Sequence, residues 1–169
     1  MTDKDVISYK YVFRFEGGEE KVLDIQLDPV TLDLLPKRRE KLPEWAALGY
    51  SKCEICPYDE ASQNCCPIAL SLADLMETFS DKASYEKVEV RVVTGARDYL
   101  KKTTLQEALS SAIGIYMVTS GCSVMSILKP MVRHHLPFAS LNETIFRTIS
   151  TYLMAQYFLK QKGVEPDWD

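Results

Sequence analysis

No stretch of the 169 residues reaches the roughly 18 uncharged apolar positions that a helix needs to cross a bilayer, so a membrane-spanning helix is not expected. The opening Met1-Thr-Asp-Lys-Asp also lacks the basic and then apolar layout of a secretory leader, which makes the cytoplasm the expected compartment. Basic charge is scarce. Twenty Lys and Arg stand against 24 Asp and Glu, for a formal charge of -4 and a pI near 5.3. That balance argues against nonspecific binding to nucleic acid or to anionic membrane, both of which require clustered cations. The one basic run, Lys37-Arg38-Arg39, is bracketed by Pro36 and Glu40 and reads as a solvated loop. There is no internal repeat, no low-complexity tract and no Gly-rich phosphate loop. Histidine is reduced to the adjacent pair His134 and His135.

Cysteine is unevenly distributed. Cys53, Cys56, Cys65 and Cys66 fall within fourteen residues, and Cys122 is the fifth. An odd number of cysteines in a reducing compartment points to ligands, active thiols or core residues before a disulfide framework. Two cysteines separated by two residues can grip one metal ion from a tight turn, and a second cysteine-bearing turn can supply a further thiolate. Adjacent cysteines rarely ligate one tetrahedral ion together, so one of Cys65 and Cys66 is expected to be a bystander. Cys66 precedes Pro67, which suits a first helical position, and an N-cap thiol lies at the positive end of the helix dipole, where thiolate is favoured. The expected ligands are therefore Cys53, Cys56 and Cys66, with Cys122 or His135 as the fourth and His134 less favoured. Zinc fits such a set first and an iron–sulfur cluster second. Cys53 and Cys56 as a thiol redox pair form a further alternative.

Periodicity outlines the rest. Ile7, Tyr9, Tyr11, Phe13 and Phe15 alternate with polar neighbours, Gly17-Gly18 turns the chain, and Leu23, Ile25 and Leu27 resume the alternation, so residues 6–28 read as a β-hairpin. A short strand or turn is expected from Thr31 to Leu35. Residues 36–66 form a proline-containing, Cys-rich loop long enough to require a staple, which a bound metal would supply. A helix is expected from Pro67 to about Phe79. Strands follow around Val88–Val92 and from Ala96 to Lys102. Thr104 with Glu107, and Ser140 with Glu143, are capping-box patterns that open helices reaching about Thr119 and Lys162, the second closed by Gly163. Ser123 to His134 reads as a shorter helix disturbed by Pro130. Gly114 is expected to mark close helix packing, and Phe146, Tyr152, Met154, Tyr157 and Phe158 are expected in the core. The whole predicts one α+β domain over residues 1–169, with an antiparallel sheet of N-terminal hairpin and central strands packed against C-terminal helices.

Five strings taken together carry a resemblance: Pro43-Glu-Trp45, Cys53-x-x-Cys-Pro57, Cys66-Pro67, Ser120-Gly-Cys122, and Met131-Val-Arg-His-His-Leu-Pro-Phe-Ala139 leading to Glu143-Thr144. From about Tyr9 onwards the chain resembles a bacterial family of uncharacterised domains. The resemblance implies a fold and a cysteine-centred site without an assigned activity. It places the family cysteine before proline on Cys66, leaving Cys65 as an addition in this chain. It also implies that members continue past Pro166-Asp-Trp168 with another helical segment, so a fragment or short form is expected.

The leading functional expectation is a structural zinc site in a small cytoplasmic protein. The enzyme alternative places a metal-held water at an open coordination position near His134, His135 and Glu143, with Arg133 and Arg147 completing a polar patch. Oligomerisation is possible; no sequence feature names a substrate or a partner.

Overall fold

The computed structural model describes residues 6–35 and 41–168; the Lys37-Arg38-Arg39 run lies outside the described residues. Its frame is an antiparallel sheet of β1 (Ile7–Phe15), β2 (Glu20–Leu27), β3 (Lys87–Val93) and β4 (Asp98–Thr104), in the order β2-β1-β3-β4. The fold is α+β, as the sequence pattern requires. Register follows from burial. Tyr11 stands opposite both Leu23 and Val92, so three apolar side chains line up across the sheet on the same face. Tyr11, Phe13, Ile25, Val90 and Val92 are all fully buried there. The opposite face is charged, and Arg14 reaches Glu20 at 2.8 Å while Glu89 meets Lys102 at 3.5 Å. Exposed pairs of this kind contribute little, about 0–1 kcal/mol each, so burial on the inner face dominates.

The two outer strands differ in what lies along them. Leu35 N donates to Gln26 O at 2.8 Å and Leu34 bridges Leu27, which lays the 28–35 turn along the end of β2. At the other edge β4 carries Lys101 and Lys102.

Helix α1 (Pro67–Thr78) begins with Cys66 at its N-cap and Pro67 in its first turn. Helix α2 (Leu105–Thr119) buries Leu105, Ala108, Ala112, Ile115 and Tyr116, an i, i+3, i+4 stripe that covers the sheet. Its cap is half of the expected box: Thr104 accepts from Glu107 N, while the Glu107 carboxylate turns to the Thr103 hydroxyl. Helix α3 (Leu141–Gln161) has the complete box, with Ser140 and Glu143 bonded in both directions. Gly163, at φ 76°, follows its end.

Three expectations change. Residues 125–134 form a 3-10 segment, Met125–His134, with Pro130 inside it: proline cannot donate the backbone bond that a regular α-helix requires. Gly114 is not a packing contact, because a Cβ there would meet nothing within 4 Å. Phe146, Met154, Tyr157 and Phe158 are exposed rather than in the core, since the principal neighbour of α3 within the chain is the 3-10 segment.

Candidate functional site

The cysteine loop is held at both ends by backbone hydrogen bonds. Residues 44–50 make two 3-10 turns that bury Ala46 and Leu48. Cys66 N donates to Ala46 O at 2.8 Å, Leu48 N donates to Asn64 O at 2.9 Å, and Ala47 bridges Cys65 as a one-residue antiparallel pair. The expected staple is therefore at least partly backbone hydrogen bonding and two buried apolar side chains.

Between these anchors Cys53 and Cys56 close a turn, with Cys56 N donating to Cys53 O at 3.0 Å. Two residues after Cys56, Tyr58 reaches the helical half of the molecule. Its hydroxyl donates to Gly121 O at 2.9 Å and accepts from Ser123 N at 3.1 Å, so the phenol straddles Cys122. Gly121 takes φ 89°, a left-handed conformation that an ordinary side chain disfavours, and this turn delivers Cys122 at the end of α2. Cys122 is buried, Cys53 is exposed, and all five cysteines are free thiols.

Electrostatics place Cys53, Cys56 and Cys122 in one neighbourhood. The Cys53 thiol is raised above its ordinary value, first by local desolvation, then by the neighbouring Cys56 charge and hydrogen bond, and further by Cys122. Cys66 stands at the N-cap of α1, where its side chain makes no capping hydrogen bond. Cys65 pairs by its backbone with Ala47 and Gln63 and lines a different cleft with Pro67, Leu70 and Gly121. Among the described residues, no three His, Cys, Asp or Glu side chains stand in a ready-made metal-binding arrangement. Tyr58 is the residue that sequence reasoning missed; its position two residues after Cys56 was the available signal.

His135 belongs to other surroundings. Its Nε2 lies 2.8 Å from the Tyr11 hydroxyl, and its ring meets Tyr9 edge-on at 5.3 Å. Burial, reinforced by the Arg147 charge, pushes its pKa down to about 4, so the ring is neutral at pH 7. Tyr11 in turn lies 3.0 Å from Ser111 Oγ, which accepts from Phe138 N at 3.2 Å. These groups open onto a cleft of about 530 Å³ between α2, the 3-10 segment and the start of α3, largely apolar and edged by Arg147. Arg147 donates to Met131 O and His134 O at 3.0 and 2.6 Å, fixing the backbone that leads into the histidine pair. Glu143 is occupied by the Ser140 cap, and those hydrogen bonds hold its carboxyl below the usual range. Phe138 sits beside the cleft at φ 61°, a strained position for a non-glycine residue.

No helix among the described residues is long and apolar enough to cross a membrane. No curated protein and no solved structure matches the chain. A family model described as a domain of unknown function, DUF6901, matches residues 7–169, and with the sheet, the cysteine loop and the His135 cleft all inside that span, the chain belongs to this family.

Proposed function

We propose that the domain binds a thiophilic divalent metal, zinc first, through its cysteine loop, and that the metal has a structural role. The observation that carries this reading is the shared neighbourhood of Cys53, Cys56 and Cys122, with Tyr58 bonded on both sides of Cys122. Cys66 is the further thiolate from the loop. Cys122 is favoured over His135, because the His135 Nε2 is engaged by Tyr11 and its ring opens on the α2–α3 cleft. A cation among these thiols would reverse the mutual repulsion that raises Cys53, since a metal favours thiolate. Four protein ligands would close the tetrahedron and leave no position for substrate. Thiolate ligands persist where thiols are kept reduced, so the reading implies the cytoplasm.

The redox alternative is less well supported. Reactive thiol pairs depend on a lowered pKa beside cationic groups, whereas that of Cys53 is raised. An iron–sulfur cluster would use the same thiolates and would announce itself by visible absorption.

Elemental analysis of protein purified without an affinity metal column tests the proposal. One zinc per chain is expected, with loss of thermal stability on treatment with a strong chelator. A protein that is metal-free, takes up no zinc at micromolar concentration and melts identically with and without chelator overturns it.

A further inference from the structure

A second cleft, of about 610 Å³, shares His135, Leu136 and Arg147 with the first and is formed by the start of β1, the β3–β4 turn and the end of the 3-10 segment. Its lining holds Arg97, Arg133 and Arg147 and no Asp or Glu, on a chain whose formal charge is -4. The arginines come from three elements: Arg97 from the turn between β3 and β4, Arg133 from the 3-10 segment and Arg147 from α3. No cysteine lines this cleft, so it is independent of the proposed metal.

The described arginines divide into two groups. On the charged face of the sheet, Arg14 meets Glu20 at 2.8 Å and Glu89 at 3.8 Å, and Arg91 bonds Asp98 through Nε at 3.0 Å. The remaining ones are the three of this cleft, and none of them forms an ion pair with a described carboxylate. Arg147 spends Nη2 on the carbonyls of Met131 and His134, and Arg133 donates from Nη2 to Pro29 O at 2.5 Å. Carbonyls orient a guanidinium without neutralising it, and Nε and Nη1 of both residues have no protein partner among the described residues. Arg97 is exposed, and its hydrogen bond to Thr94 Oγ1 is made by the backbone N. Glu143, one turn before Arg147, is held by the Ser140 cap and lies outside the lining. Two of the charges act on the same hydroxyl: burial raises the Tyr9 pKa, and Arg147 and Arg133 both pull it back. Uncompensated cations gathered in a cleft concentrate anions there.

We infer that this cleft binds a small organic phosphate, with the phosphate on Arg97, Arg133 and Arg147 and the organic body against Ile7, Tyr99 and Leu136. A phosphate monoester carries about 1.5 to 2 negative charges at pH 7 and three acceptor oxygens, which suits several guanidinium forks at once. A lone carboxylate brings one charge and two oxygens. The volume calls for a body as well as a phosphate, since clefts of about 300–1,000 Å³ hold whole small molecules. A polynucleotide would need cations spread over an open surface, and the chain as a whole is acidic.

Isothermal titration with phenyl phosphate as the probe tests the inference. One molecule per chain is expected, with a submillimolar dissociation constant. Arg97→Ala and Arg133→Ala, both at exposed positions, should each weaken binding at least 10-fold with unchanged circular dichroism. Arg14→Ala, on the charged face of the sheet, should leave it intact. No binding at about 10 mM phenyl phosphate overturns the inference, and so does binding indifferent to both cleft substitutions. Equal affinity for inorganic phosphate or for benzoate also overturns it, as does a thymidine oligonucleotide that binds more tightly than phenyl phosphate through the same arginines.

Discussion

The Tyr11 hydroxyl sits 2.8 Å from His135 Nε2, joining β1 to the end of the 3-10 segment across 124 residues of sequence. Because Ser111 Oγ lies 3.0 Å away on the same hydroxyl, one phenol connects sheet, helix and cleft. Tyr11 is fully buried, and burial raises its pKa well above the ordinary tyrosine value, so its hydroxyl is protonated at pH 7. Substituting Tyr11→Phe strips both contacts while preserving the ring. The expected cost is about 1–3 kcal/mol, since two part-buried polar groups lose a partner, read from urea unfolding at pH 7.

His135 makes stability depend on pH. Its folded pKa, about 4, lies below the ordinary value of 6.5, so between these values the unfolded chain binds more protons than the folded one. Its contribution is fully present above pH 6.5 and is lost as pH falls towards 4. The full difference is on the order of 3 kcal/mol. Unfolding free energies measured at intervals from pH 7 to 4 should fall more steeply for wild type than for His135→Phe; parallel curves would refute the assignment.

Gly114 offers a test with the opposite sign. A Cβ there meets nothing within 4 Å, so Gly114→Ala gains helix propensity without a clash and should stabilise by about 0.5–1 kcal/mol. The methyl group would also enter the His135 cleft, which Gly114 lines. A lowered melting temperature would contradict this account.

At the thiol site, Tyr58→Phe removes one donated and one accepted bond, and its expected cost is about 1–2 kcal/mol. On the proposed metal reading, Cys53→Ser and Cys122→Ser should abolish stoichiometric zinc uptake, while Cys65→Ser should leave it unchanged. Equal loss in all three variants would remove the distinction drawn between Cys65 and its neighbours.

Much of the frame was legible because local and global signals agree. The alternation of Ile7 to Phe15, the Ser140–Glu143 cap and Pro67 after Cys66 each specify one local conformation, and packing left each in place. The exposed aromatics of α3 were not legible. Apolar residues at helical spacing suit a buried face but say nothing about whether a neighbour covers them. The route of the cysteine loop was likewise hidden, since it depends on backbone bonds between residues 46–48 and 64–66 and on one tyrosine hydroxyl, none of which leaves a periodic trace. Gly114 misled for a related reason: a helical glycine marks either a close neighbour or an open space, and the sequence is the same for both.

The outer strands of the sheet have a consequence for how copies of this chain meet. With the 28–35 turn laid along β2 and lysines on β4, strand-by-strand zippering between molecules is obstructed at both ends of the sheet. Exposed apolar side chains on the helices, Phe146 and Phe158 among them, then offer contact by side chain, which a single substitution can undo.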